Sequence, residues 1–319
     1  MIHDYAVQPE ELFSPNGLWQ RHADLGVASG RIIADFPNMN WLQDAQTQLD
    51  VNYHAMGTRA QRTLDEWLCN LHKKGTLRRR PDFVPPSESS DWVTTVGREN
   101  RARPFRAIIC NDEQLFPGCN NVIRKLDVDL GHERWKARKN VPVRRVVDSV
   151  AAVMHPLAAM SQDLLFVEPY FALRTGACGA IAKIIAQAQN NTYPLRYVEV
   201  HTECKDSQTL KSAQNNIEDH FPRLLQIYGV KREKWRLIVK FRSYLHDRCL
   251  LTEIGGISLS AGFDHAQKKA DQKADLMDED FWLEQQCEYN EREMYYRKFD
   301  SNLQKKLCGV VTDSLDVEF

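Results

Sequence analysis

No C-x-x-C pair occurs among the eight cysteines, Cys69, Cys110, Cys119, Cys178, Cys204, Cys249, Cys287 and Cys308. A zinc ribbon is therefore not encoded, and scattered thiols of this kind are expected to be reduced and mostly buried. No apolar run reaches the roughly 20 residues a membrane helix needs. The longest, Leu164 to Val167 and the stretch from Val150 to Met160, suit a buried strand and a buried helix. Met1-Ile2-His3-Asp4 has neither the basic start nor the apolar stretch of a secretory leader, and no lipidation signal is read at the other end. The expected compartment is the cytosol, with no membrane partner. Glycine and proline are sparse, at 15 and 13 of 319 residues, which excludes collagen-like and low-complexity chains. An excess of one charge is missing too, since 42 Lys and Arg face 43 Asp and Glu.

The hydrophobic share, 43%, is enough for two ordinary cores at this length. Charge is unevenly spread: basic residues outnumber acidic ones between 71 and 150, and the order reverses from 264 to 319. A basic segment in a neutral chain attracts polyanions, although a solvated face explains the same pattern.

Two domains are expected, 1–142 and 143–319. The first reads as mostly helical. Thr58 and Gln61 have capping-box spacing, and Leu64, Trp67, Leu68 and Leu71 follow at helical intervals, which predicts a helix over 58–74. It runs into the basic stretch Lys73 to Arg80, beside a Pro- and Ser-rich loop from 81 to 91. Ala23 to Ile32 faintly resembles the turn of a helix-turn-helix, a pattern also common in ordinary helical domains. From 143 the rhythm alternates: helix at 143–160, strand at 164–167, helix at 176–189, strand at 195–203, helix at 207–228, strand at 235–241. A hairpin follows, with Tyr244 to Thr252 and Gly256 to Ser260 as its arms and Gly255-Gly256 at its turn. A further helix is read around 280–306. The fold class predicted is α/β, a mixed sheet flanked by helices, preceded by the mostly helical domain.

The chemistry concentrates between Leu245 and Asp264. On a strand, His246 and Arg248 are two apart and share a face. A nitrogen nucleophile beside a fixed cation suits attack on a phosphodiester: the imidazole takes phosphorus covalently while the guanidinium neutralises charge on the nonbridging oxygens. Glu253 is expected to orient the ring or the arginine, and Ser260 to donate to phosphate. Glu168 and Tyr170, at the end of a strand, are expected to line the same cleft, with Arg78, Arg79 and Arg80 adding contacts to a substrate backbone. The scheme calls for no cofactor and no metal.

These residues resemble the signature of the phospholipase D superfamily, His-x-Lys-x4-Asp followed by Gly-Ser-x-Asn. His246 matches the family nucleophile; Arg248 stands for its Lys, Glu253 for its Asp, and Leu259-Ser260-Ala261-Gly262 for Gly-Ser-x-Asn, one residue closer. The strand and helix order back to Leu164 suits one half of that fold. Arg for Lys alters shape and reach, Gly262 removes the polar side chain of Asn, and only one motif is present where active members unite two. The resemblance implies a homodimer that pairs two copies, or else a noncatalytic member that binds nucleic acid or a protein partner within a larger complex. A third reading makes His246 and Arg248 a buried structural pair. The family also implies a setting in bacterial antiphage defence.

Three other patterns have blander meanings. His201-Thr202-Glu203 lacks the Pro-Cys-x-x-Cys of zinc deaminases, Gly176 to Gly179 lacks a P-loop's lysine, and His132-Glu133-Arg134 has no strand around it. The expected function is a nucleic acid phosphodiesterase of phospholipase D type, DNA or RNA being left open, and the alternative is an inactive binding subunit.

Overall fold

The computed structural model describes residues 1–13, 23–35, 40–53, 57–71, 75–80, 91–189, 193–204, 207–231, 235–263, 271–289 and 311–316. It divides into two compact units, Met1–Lys139 and Asn140–Phe319. The boundary falls three residues before the one expected because Asn140–Arg144 is a strand of the second sheet, pairing antiparallel with Asp271–Leu276.

The N-terminal unit holds β1 (His3–Val7), β2 (Arg31–Ala34), β3 (Leu77–Arg78), β4 (Ala107–Ile109) and β5 (Val122–Ile123) in one sheet of order β3-β2-β1-β4-β5. Every pairing in it is parallel. Helices α1 (Pro9–Phe13), α2 (Trp41–Tyr53), α3 (Thr58–Asn70), α4 (Trp92–Ala102) and α5 (Lys125–Asp129) complete it. Helical residues dominate, as expected, yet they surround a parallel sheet that the sequence reading missed. Short apolar runs such as Ala107-Ile108-Ile109 are too brief to separate from buried helix by periodicity. Tyr5, Val7, Ile33, Ile108 and Trp41 form its centre, and Trp41 Nε1 donates to the Val7 carbonyl at 2.7 Å.

Three local expectations change here. Helix α3 starts at Thr58, with extended Gly57 as its cap and no side-chain capping bond. The segment read as helix-turn-helix holds 3-10 residues at 23–24 and a 3-10 turn, Val27–Ser29, leading into β2. Lys73, Lys74 and the loop 81–90 lie outside the described residues.

The C-terminal unit is a mixed sheet flanked by helices. Its strands are β6 (Asn140–Arg144), β7 (Asp163–Val167), β8 (Tyr197–Glu203), β9 (Arg236–Arg242), β10 (Cys249–Thr252), β11 (Gly255–Leu259), β12 (Asp271–Leu276) and β13 (Val311–Asp316). They lie in the order β13-β9-β8-β7-β10-β11-β12-β6. β7, β8 and β9 are parallel, and the remaining pairings are antiparallel. α6 (Val147–Ala158) precedes β7; α7 (Thr175–Gln189) and α8 (Ser207–Ile227) are the two crossovers, which in right-handed units share one face. Leu164, Phe166, Val198, Val200 and Val239 are fully buried on that face. The opposite set, Leu165, Val167, Cys249 and Leu251, packs with Met277 and with Tyr289 of α9 (Glu279–Tyr289). The hairpin turns at Glu253-Ile254, since Thr252 pairs with Gly255. Tyr295, Tyr296 and the rest of the helix read to 306 fall outside the described residues. Among the described residues no helix is long and apolar enough to cross a membrane.

Candidate functional site

Antiparallel pairing of Cys249 with Val167 brings the start of β10 to the carboxyl ends of the parallel strands. Three segments meet at this edge: Glu168-Pro169-Tyr170 leaving β7, residues 243–248 entering β10, and Ser260 to Phe263 leaving β11. Carboxyl ends of parallel strands are where open α/β sheets hold ligands.

His246 and Arg248 sit here in a loop instead of on a strand. Pairing reaches back only to Arg248, whose carbonyl accepts from the Leu259 N–H at 2.8 Å. His246 is exposed; its Nε2 is hydrogen-bonded to the Tyr244 hydroxyl, and the two rings meet edge to face at 4.4 Å. Arg248 Nη1 donates to the His246 carbonyl at 2.9 Å, and its guanidinium lies 5.6 Å from the centre of the Tyr170 ring. Its Nε is buried with no hydrogen-bond partner. Both residues border a cleft of about 110 Å³ that also touches Ser258, Phe281 and Gln285. The reading of His246 as part of a buried structural pair therefore does not hold.

Gly262, at the position of the family's Asn, has φ 95°. A Cβ there would come within 2.5 Å of Glu168 Oε2 and 2.8 Å of Arg248 Cδ. The space that a polar side chain would take is filled by the carboxylate and the arginine. Glu168 is fully buried and accepts from the Tyr170 N–H at 3.0 Å and the Phe263 N–H at 2.8 Å. It braces two segments of the edge beneath Arg248, and Tyr170 forms the adjoining wall. Ser260 is exposed at the same edge, its Oγ accepting from the Lys273 N–H at 3.0 Å, which leaves its own proton for a ligand.

Two expectations about site residues are corrected. Glu253 is at the far end of β10, in the hairpin turn, where it accepts from the Gln162 and Asp163 N–H groups at 2.9 and 3.3 Å. It does not orient His246. Arg80 belongs to the N-terminal core: its side chain is 1% exposed, bonded to Asp4 and to the Arg103 carbonyl, with its guanidinium 3.8 Å from the Phe105 ring. Two acidic neighbours, Asp4 and Glu99, draw it inward, so it meets no substrate. Arg78 and Arg79 are half-buried beside it, in the unit that does not carry His246. The cleft of about 400 Å³ in that unit is rimmed by Glu10, Asp44 and Asp91, an arrangement that repels phosphate.

A buried polar row went unread in the sequence. Glu199 and His201 on β8 and Lys240 and Arg242 on β9 are brought side by side by parallel register, His201 opposite Lys240. His201 Nε2 lies 2.5 Å from Glu199 Oε1, Lys240 Nζ 3.0 Å from the same oxygen, and Arg242 Nε donates to His201 Nδ1 at 2.7 Å. Burial lowers the His201 pKa to about 4; the ring is neutral, with its proton on Nε2 facing Glu199. Burial alone would raise Glu199, but the His201 N–H and the Lys240 ammonium outweigh it and hold the carboxyl at about 2. The Tyr289 ring stands edge-on to His201 at 5.5 Å, and its hydroxyl donates to Asp247 Oδ2 at 2.7 Å. The residue between His246 and Arg248 is thereby tied to α9. The alternation of His201 with Glu199 was the available signal, but charged residues on a strand read as solvent-facing. Burial pushes the thiols of Cys110 and Cys178 to about 12 and also raises that of Cys249 well above its ordinary value, so none serves as a nucleophile. The blander readings hold for Gly179, packed against Val147 and Tyr228, and for His132, whose Nδ1 accepts from the Arg134 N–H in a turn.

No family model matches the sequence, and no curated protein matches it. Among solved structures, that of TrmBL2, an archaeal chromatin protein described with a novel mode of DNA binding, is similar at 10% identity and a TM-score of 0.29. The likeness covers 52% of this chain and 55% of that one, so the chain spans about half the length of that protein.

Proposed function

We propose that the C-terminal unit is a phosphodiesterase of phospholipase D type that acts on nucleic acid through His246. The observation that carries this reading is that the exposed His246, whose carbonyl accepts from the Arg248 guanidinium, borders one cleft with Arg248 at the carboxyl edge of the parallel strands, near Glu168 and Tyr170. His246 attacks phosphorus, an N–P bond forms, and the ester P–O bond breaks. The departing alkoxide takes a proton from a second His246, contributed by another copy of the chain, and water then releases the phosphoryl group from nitrogen. Arg248 holds the nonbridging oxygens, and Ser260 donates to one of them. Tyr244 orients the ring, the role expected of Glu253.

A second reading is favoured by one observation: the motif's carboxylate is at the wrong end of β10, so nothing acidic from the motif supports an imidazolium at His246. In that reading the edge binds phosphodiesters without cleaving them. Single- and double-stranded DNA and RNA are incubated with wild type and His246→Ala in a chelator, and equilibrium binding is measured in parallel. Cleavage by wild type alone, with binding retained by the variant, is the expected result. Binding without cleavage selects the second reading, and neither binding nor cleavage overturns both.

A further inference from the structure

We infer that Arg31, Arg106 and Arg134, at the amino ends of the N-terminal sheet, bind the phosphate backbone of nucleic acid on a second surface, in the unit that does not carry His246. The choice of nucleic acid over an acidic protein rests on the proposed function. Arg31 opens β2, and Arg106 directly precedes β4, so both flank the start of β1, and both guanidiniums reach the Tyr5 hydroxyl. Residues 133–135 cross this end and supply three successive carbonyls. Arg106 donates through Nη2 to the Glu133 carbonyl at 3.2 Å and through Nε to that of Arg134 at 3.3 Å. Arg31 Nε donates to the Trp135 carbonyl at 2.7 Å and its Nη1 to that of Asp24 at 3.0 Å, while Arg134 Nη1 donates to the Arg106 carbonyl at 3.4 Å.

Three cations are thus gathered and held by main-chain oxygens. Asp4 is bonded to Arg80 and Glu133 to Lys136, and among the described residues no ion pair joins the three guanidiniums to a carboxylate. Carbonyl dipoles fix the guanidinium planes but leave their charge uncancelled. Arg31 Nη2 and Arg106 Nη1 keep protons for an outside acceptor, and such forks match the oxygens of phosphate. Burial and the surrounding positive charge, Arg106 and Arg31 included, lower the pKa of His3, the register partner of Arg31, to about 4, which reports a local field that favours anions. Lys136, Arg138 and Lys139 follow, all exposed. The carboxyl end of the same sheet has the opposite sign, because the cleft after β1 is rimmed by Glu10, Asp44 and Asp91. A polyanion approaching this unit is directed to the amino ends. Part of the basic excess between 71 and 150 lies here, where Arg80 is buried elsewhere in the core.

The test measures binding of a fluorescent single-stranded oligonucleotide across a salt series, in the His246→Ala chain so that the probe stays intact. For single strands each phosphate contact contributes about 0.7 to the slope of log affinity against log salt, so Arg31→Gln with Arg106→Gln is expected to lower the slope by about 1.4. Arg31→Lys with Arg106→Lys, which keeps the charge, is expected to restore it. Arg138→Gln with Lys139→Gln removes two exposed charges without releasing a carbonyl, and is expected to lower the slope as well; it decides the matter if the first variant does not fold. An unchanged slope in the folded variant overturns the inference and leaves the proposed function standing. Poly-glutamate that competes as well as the oligonucleotide at equal charge also overturns it, and assigns the surface to an acidic protein. Failure of the wild-type chain to cleave removes the catalytic reading, yet the slope still decides for or against this surface. Absence of oligonucleotide binding overturns both.

Discussion

Arg248 reaches its place because residue 262 has no side chain. With φ at 95° and Cβ space already taken by Glu168 Oε2 and Arg248 Cδ, Gly262→Ala must strain the backbone and also move the arginine. Strain at such a position costs of order 1–3 kcal/mol. Gly262→Ala is therefore expected to lower stability by about that amount in urea unfolding and to weaken oligonucleotide binding several-fold. A variant as stable and as tight as wild type would mean that Arg248 can sit elsewhere without loss. That His246 and Arg248 border one cleft was legible in the sequence, because residues two apart at the start of a strand stay close together. Glu253 was misread because spacing counts residues, not space: β10 extends about 3.3 Å per residue and carries Glu253 to the far side of the sheet. Arg80 was misread because its partner Asp4 lies 76 residues away, beyond any local pattern.

Strands β8 and β9 and helix α9 bury ionisable groups whose protonation opposes one another. An unfolded histidine titrates near 6.5 and native His201 near 4; between those values only the unfolded chain holds the proton, so stability rises with pH. Glu288 on α9 is shifted the other way, burial and Asp247 raising it to about 7 from 4.5. Between those values only the native chain holds the proton, and stability falls as pH rises. The two slopes cancel from about pH 4.5 to 6.5. Below that, Glu199, held at about 2, loses its contribution as the pH falls. Glu288→Gln mimics the protonated carboxyl and removes one of the opposing slopes. Its stability is expected to fall on acidification from pH 6.5 onward, by at most about 1.4 kcal/mol per pH unit, and to gain on wild type above pH 7. Urea unfolding at pH 5, 6, 7 and 8 measures this, and curves of the same shape for both proteins would contradict it. At this scale the continuous apolar runs of β7 and β9 and the helices between them were legible. β6 and β12 were not: Asn140 to Arg144 buries one residue of five, and β12 turns Gln272, Ala274 and Leu276 inward, too polar and too small to mark a strand. The strands of the N-terminal unit, two to five residues long, are shorter than the window in which periodicity speaks.

At the proposed site the chain carries one His-x-Arg motif, His246 and Arg248, whereas the proposed reaction uses two imidazoles on opposite sides of phosphorus, one as nucleophile and one as acid. A second copy supplies the other if two identical edges meet about a twofold axis, where each contacts its own equivalent. This makes activity a property of pairs and gives a counting experiment. Wild type and His246→Ala, differently tagged, are co-expressed in equal amounts so that chains assort freely. If both imidazoles serve one site, only pairs of two wild-type chains work, and specific activity falls to about a quarter; if each chain works alone, it falls to about half. The mixed pairs, isolated by their two tags, are expected to be inactive while still binding oligonucleotide, because both copies retain Arg248. Dilution gives a second measure: activity per chain should drop once the concentration passes below that at which sedimentation shows the pair separating. A monomer that cleaves at every dilution, or mixed pairs with half the wild-type rate, would require the leaving-group proton to come from a residue of the same chain.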